Sequence, residues 1–269
     1  MKKILLLSLC IMILACDGKR APDYNTDYKT AFDSILYSYD LQGTLLVFDP
    51  QKQTYYSNDF ERAKQSFLPA STFKIPHTII ALETGVLTDA ETILKWDGEE
   101  REFHTWEQDM TLKEAFRVSC IPCFQEVARE IGQDRMKSYL NKLQYAKIEI
   151  SNDIDSFWLK GASRISPFEQ INFLDRLYNK KLPILTTTRE QMLRILEIES
   201  HEKYTFSGKT GWSYHDDDNN GWFVGFLEEG KKIYYFALNI DPIDAKHMQK
   251  FVAGREQAVR KALHEMKIM

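Results

Sequence analysis

The sequence predicts an α+β protein: an antiparallel sheet flanked by helices from the two chain ends, with a mostly helical subdomain inserted between its strands. Three observations carry this. Strand-like segments lie toward both ends of the 269-residue chain, helical apolar spacing dominates the middle, and 43% hydrophobic with 13% aromatic residues is ample for one large core. A sheet assembled from such distant segments is implied.

In chain order, Met1-Lys2-Lys3 followed by the apolar run 4–15 reads as a signal peptide, too short to span a bilayer as a stable helix. The run ends Ile13-Leu14-Ala15-Cys16, similar to the bacterial lipobox. That similarity implies cleavage before Cys16 and a lipid on its thiol, hence an exported, periplasmic, membrane-anchored lipoprotein; cleavage without a lipid is the alternative. Residues 16–29 read as a polar tether and 30–269 as the folded domain. Loss of Lys2 and Lys3 leaves 33 basic against 39 acidic residues, a net charge of −6, which argues against nucleic acid as a partner.

A helix is expected over 28–39. Residues 43–49 and 53–57, separated by Pro50-Gln51-Lys52, read as strand, turn and strand. Helices follow over 111–116, 122–131, 134–143, 166–178 and 188–198. Ser166 with Pro167 and Glu169 has the form of a capping box, and Thr187 with Glu190 repeats the signal. Strands are expected over 204–208, 221–228 and 232–239, and a closing helix over 249–266.

The chemistry centres on Pro69-Ala70-Ser71-Thr72-Phe73-Lys74, just before the apolar run 75–82. On a helix, residues three apart share a face, so the Ser71 hydroxyl and Lys74 amine can meet near a helix N-terminus, where free N–H groups favour developing negative charge. Alone the pair is weak, because Ser-x-x-Lys arises by chance on many helices. Two further segments strengthen it. Ser119-Cys120-Ile121 precedes Pro122, which biases Ile121 out of helical backbone and makes a turn able to project a hydroxyl; the plain alternative is an N-cap serine. Lys209-Thr210-Gly211, at the end of the expected strand 204–208, offers charge-assisted hydrogen bonds to an anion, and Gly211 allows close backbone approach. Ser-x-x-Lys with Lys-Thr-Gly marks penicillin-recognising serine enzymes, although the middle motif of class A β-lactamases is Ser-Asp-Asn, which Ser119-Cys120-Ile121 does not match.

From about Gly43 to the last helix the chain instead resembles the class D serine β-lactamases, the oxacillinases. Residues 69–74 match their first motif, Ser119-x-Ile121 their Ser-x-Val, Trp158-Leu159-Lys160-Gly161 their Trp-x-x-Gly, Lys209-Thr210-Gly211 their third motif, and residues 221–225 the hairpin after it. One departure is plain: Tyr145-Ala146-Lys147 stands where the family has Tyr-Gly-Asn, with Ala146 restricting the backbone and Lys147 offering a cation beside the cleft. The resemblance implies a serine β-lactamase/penicillin-binding-protein fold. It implies Ser71 as nucleophile and Lys74, carbamylated by CO2 and held by the Trp158 indole, as general base. It implies Ser119 as proton relay supported by Lys209, and the backbone N–H groups of Ser71 and Trp212 as the oxyanion site. Thr210, Gly211 and Arg255 would bind substrate, Arg255 through its carboxylate, and Ile121 would give an apolar wall. The expected partners are β-lactams, with no cofactor beyond the carbamate. A D,D-peptidase and a penicillin sensor with slow deacylation are the competing readings.

Other signals are set aside. Cys120 and Cys123 match a redox spacing without the surrounding βαβ unit, and read as buried thiols or a local disulfide. Asp216-Asp217-Asp218 opens like an EF-hand loop, but its twelfth position is Leu227, so a polar hairpin loop is expected. No histidine pair has metal-ligand spacing, and His77 reads as core or as support for the site. No metal is expected.

Overall fold

The run Leu45-Leu46-Val47-Phe48 sends alternate side chains to opposite faces of one strand, and both faces are buried. Leu45 and Val47 pack with Phe32, Phe251, Val259 and Leu263, whereas Leu46 and Phe48 pack with the helical subdomain around Ile79, Phe124 and Leu174. A strand covered on both sides loses the apolar–polar alternation and reads as continuously hydrophobic. The structure, a computed structural model, describes residues 24–150, 153–215, 218–244, 246 and 248–269.

The elements in order are β1 (Asn25–Tyr28), α1 (Thr30–Tyr37), β2 (Leu41–Asp49), β3 (Thr54–Ser57), α2 (Phe60–Lys64), a 3₁₀ turn (Ala70–Phe73), α3 (Lys74–Glu83), β4 (Ile93–Leu94), β5 (Met110–Thr111), α4 (Leu112–Arg117), α5 (Ile121–Ile131), α6 (Gln133–Leu143), α7 (Pro167–Tyr178), α8 (Thr186–Leu196), β6 (Glu197–Ser200), β7 (Tyr204–His215), β8 (Asp218–Glu229), β9 (Lys232–Pro242) and α9 (Met248–Glu265). The main sheet runs β1-β3-β2-β9-β8-β7-β6, so N-terminal strands pair with C-terminal ones through β2 and β9. Helices α1 and α9 cover one face, and the inserted helices cover the other. The chain thus adopts the expected α+β architecture, a sheet built from both chain ends with a helical subdomain inserted between its strands. No described helix is long and apolar enough to cross a membrane.

Several elements differ from their expected extents. The signal peptide, Cys16 and the tether up to residue 23 lie outside the described residues. The tether does not run to residue 29: Asn25–Tyr28 is an edge strand parallel to β3, so the sheet is mixed, and the folded unit begins before residue 30. Helix α8 is not capped by Thr187, since it starts at Thr186 after an extended Leu185, whose N–H donates to Glu83 Oε1 at 2.8 Å. A tertiary partner replaces the local cap there. The strands around Lys209 are longer than expected, with β7 and β8 pairing without a break from Tyr204↔Glu229 to His215↔Asp218. Gly208 and Gly211 read as lying at the end of the first of these strands and Gly221 at the start of the second, yet the ladder runs through all three. Asp216 and Asp217 of the EF-hand-like run lie outside the described residues, and Asp218 opens β8.

Candidate active site

Ser71 sits in the 3₁₀ turn, three residues before the α-helix proper begins at Lys74, so the turn and first helical residue together bring the pair onto one face. Pro69 enters with φ −66°, and Ala70 takes a left-handed φ of 48°, which redirects the chain before the serine. Strain of this kind, on the order of 1–2 kcal/mol, persists only when neighbours over-determine the turn. They do so here. Thr72 Oγ1 donates to Pro69 O at 2.6 Å and accepts from Gln170 Nε2 at 2.8 Å, and the Trp222 indole donates to Leu68 O at 2.9 Å.

Lys74 Nζ donates to Ser71 Oγ at 3.1 Å. The lysine is fully buried with no carboxylate partner, and desolvation pulls its pKa down to about 7. Its amine lies over the Phe124 ring, 5.1 Å from the centroid, so the apolar wall at the lysine is Phe124, while Ile121 lines the cleft mouth. Trp158 is buried and stacks on Phe73 at 5.6 Å and edge-on to His77 at 5.2 Å, the neighbours of Lys74 in sequence and on the next turn. Its Nε1–H has no hydrogen-bond partner among the described residues. Burial, then the nearby Lys74, holds the His77 pKa down at about 3, so the imidazole is neutral.

Ser119 joins the site through an unexpected backbone conformation. It has φ 56°, followed by Cys120 as the N-cap of α5, and Ile121 is the first helical residue rather than being excluded by Pro122. Proline is tolerated in the first turn because its missing N–H has no helical partner anyway. Ser119 is therefore no N-cap, and its hydroxyl accepts a hydrogen bond from Lys209 Nζ. The Cys120 and Cys123 sulfurs are bonded to each other. Lys209 also donates to Thr210 O at 3.0 Å, and burial, then Lys74 and Arg255, pushes its pKa well below the lysine range.

Lys209, Thr210, Gly211 and Trp212 lie within β7, and β6 pairs with that strand only through Thr205–Ser207. The edge beyond is open, and the Ser71 turn docks against it. Gly211 makes this possible: a Cβ there would meet Thr72 Cγ2 and Trp222 Cβ at 3.2 Å. Gly221 does the same for α9, since its Cβ would meet Phe251 at 2.7 Å and Arg255 Cδ at 3.2 Å. Arg255 is buried, not a solvated helix residue. It donates to Gly211 O at 2.8 Å, and burial lowers its pKa to about 10.

Ser71, Ser119, Ile121, Thr210, Gly211, Trp212 and Arg255 line one cleft of about 350 Å³. Lys74 and Lys209, bonded to Ser71 and Ser119, are buried outside that lining, and Trp158 is buried against Phe73. The motifs therefore converge on one constellation: a hydroxyl facing a buried amine, a second hydroxyl facing a second amine, and a strand segment whose Gly211 carbonyl holds a buried guanidinium.

Sequence relationships agree with this geometry. The penicillin binding protein transpeptidase domain profile matches residues 20–263. The chain is 36% identical to β-lactamase OXA-48 of Klebsiella pneumoniae over 239 residues, 89% of this chain and 90% of that protein. The chain belongs to the class D β-lactamase family. Among solved structures, a class D β-lactamase YbXI from Nostoc superposes with a TM-score of 0.83 at 38% identity, covering 88% of this chain and 99% of that one. The C-terminal domain of the Bacillus licheniformis BlaR penicillin-receptor superposes at 0.85 with 25% identity, covering 93% and 99%.

Within that family the departure at Tyr145-Ala146-Lys147 has a structural reading. Ala146 holds φ 41°, a left-handed backbone that a glycine would adopt without strain. Lys147 does not add a cation to the cleft: its side chain is 78% exposed, pairs with Glu149 at 3.3 Å, and is absent from the cleft lining. Its backbone forms an isolated antiparallel bridge with Arg164. The sequence reading missed Phe103, Arg117 and Val252, which also line the cleft. Phe103, like Trp106 beside it in the same lining, carried a signal as an aromatic residue in a polar loop.

Proposed function

We propose that this protein hydrolyses the β-lactam amide bond of penicillin-like antibiotics through an ester on Ser71, and so confers resistance on its host. The observation that carries the reading is the Ser71–Lys74 pair, a hydroxyl held at 3.1 Å from a buried amine whose pKa falls near neutrality. An ordinary lysine near 10.4 would be almost wholly protonated at pH 7 and a poor base.

The surroundings of Lys74 fit a carbamate. The amine is depressed by burial, the walls are apolar, and the unpartnered Trp158 N–H needs an acceptor. When formed from CO2 on the neutral amine, the carbamate supplies an anionic oxygen base. Ser71 Oγ gives up its proton at this position and attacks the lactam carbonyl; the C–N bond breaks as the ester forms. The Ser71 and Trp212 backbone N–H groups face the developing oxyanion. Ser119, held by Lys209, passes a proton to the departing nitrogen, and water then cleaves the ester from the Lys74 side. Thr210, Gly211 and Arg255 receive the substrate carboxylate, whose charge the buried guanidinium matches.

A second reading, a penicillin sensor that keeps its acyl group, is favoured by the likeness to the BlaR receptor domain. Mass spectrometry of the protein mixed with benzylpenicillin, followed alongside product formation, separates the two. A transient adduct with multiple turnovers supports hydrolysis; a permanent adduct without product supports the sensor. No adduct at all, or one that persists when Ser71 is replaced by alanine, removes both. We also assign the mature chain to the periplasm, tethered through a lipid on Cys16. Cys16→Ala should release it from the membrane fraction, and retention there would refute the lipid site.

A further inference from the structure

Arg117 ends α4 at the point where the cleft meets a second recess of about 150 Å³, and together with Thr210 it lines both. It is exposed and makes no hydrogen bond or ion pair among the described residues. Its near neighbour Glu114, one turn earlier, is committed to the capping box with Thr111 at 2.8 Å. The cleft lining holds two arginines, Arg117 and Arg255, and no carboxylate. Two acids line the recess beyond: Glu256 is bonded to Arg260 at 2.8 Å, and Glu197 is the other. Lys113 faces the recess but not the cleft. In a chain of net negative charge the cleft mouth is thus locally positive, and such a focus acts on charged ligands even at surface dielectric.

The two arginines differ in kind. Arg255 is buried and held by Gly211 O, so its place is fixed before a ligand arrives. Arg117 is solvated and makes no direct bond, feels Glu114 only through space, and shares the cleft lining with the groups assigned above to the substrate carboxylate. A substituent that projects beside that carboxylate would extend toward Arg117.

We propose that Arg117 is a second cationic contact at the carboxylate end of the cleft, which makes the protein favour β-lactams whose neighbouring ring substituent is neutral or anionic over those in which it is cationic. This rests on the acyl-serine reading above. Two unit charges about 7 Å apart at a solvated rim change relative affinity by about threefold, and salt screens the effect.

Cephalothin and cephaloridine share one acylamino side chain and differ only in this substituent, an acetoxymethyl in the first and a pyridiniomethyl in the second. Each is set to compete with a fluorescent penicillin for labelling of Ser71, a readout that needs acylation but no turnover. The ratio of the two half-blocking concentrations is then taken for the wild type, Arg117→Lys, Arg117→Gln, Arg117→Glu and Lys113→Gln. Because leaving-group reactivity is common to all variants, the change in this ratio isolates the protein's charge. Arg117→Gln should shift it toward cephaloridine by about threefold and Arg117→Glu further, while Arg117→Lys should stay near the wild type. An unchanged ratio in Arg117→Gln and Arg117→Glu, or an equal shift in Lys113→Gln, would overturn the assignment. No labelling of the wild type would instead overturn the acyl-serine reading itself.

Discussion

Removing CO2 from the protein should expose the unusual state of Lys74. Burial lowers its pKa to about 7 from an ordinary 10.5, a difference that corresponds to about 5 kcal/mol between the charged and neutral forms. At pH 7.5 about 75% of the amine is then neutral, against roughly 0.1% for a solvated lysine; at pH 6.0 the neutral fraction falls to about 10%. Only the neutral amine adds CO2, so the base is gained as pH rises through 7 and lost as it falls. Carbamylation releases a proton that the conversion of bicarbonate to CO2 takes up, which leaves the neutral fraction as the main source of pH dependence. Protein stripped of CO2 at pH 5.5 under nitrogen should hydrolyse benzylpenicillin slowly until bicarbonate is added. The half-restoring concentration of free bicarbonate ion should be about eightfold higher at pH 6.0 than at pH 7.5. Equal rates with and without bicarbonate in the stripped protein, or a half-restoring concentration that ignores pH, would refute the carbamate.

Two further outcomes follow from particular residues. Trp158→Phe keeps the stack on Phe73 but removes the unpartnered N–H; a hydrogen bond to an anion contributes about 1.5–3 kcal/mol, so the bicarbonate requirement should rise by at least tenfold. An unchanged requirement would show that the indole does not hold the carbamate. Ala146→Gly relieves a left-handed alanine worth about 1–2 kcal/mol and adds about 0.5–1 kcal/mol of chain entropy cost, so denaturant unfolding should show a gain of up to about 1.5 kcal/mol. A loss above about 1 kcal/mol would mean that the methyl group packs favourably despite its backbone.

Residue order along the chain made the catalytic motifs legible, because Ser71 and Lys74 are linked by local helical geometry and each motif is contiguous. Element type was legible for the same reason: apolar periodicity and the Ser166–Glu169 capping box are short-range, and the capping box formed as expected. Signals that depend on distant partners were not legible. Thr187 looked like a cap, but the Glu83 carboxylate, far away in sequence, satisfies the start of α8. Gly208 and Gly211 looked like a strand end, but they admit close neighbours, among them Phe223 and the Ser71 turn.

The sequence by itself determined the serine and the amine beside it, the strand triplet and the family, since these are patterns of residue type at fixed spacing. Tertiary structure alone decided the electrostatics. Whether Lys74, Lys209 and Arg255 are ordinary cations or depressed ones depends on how many apolar atoms other segments place around them. It also decided that Lys147 turns to Glu149 and away from the cleft, while Arg117, in a segment without a motif, reaches its mouth. Side-chain charge is written in the sequence; its solvation and its direction are set only when distant segments pack together.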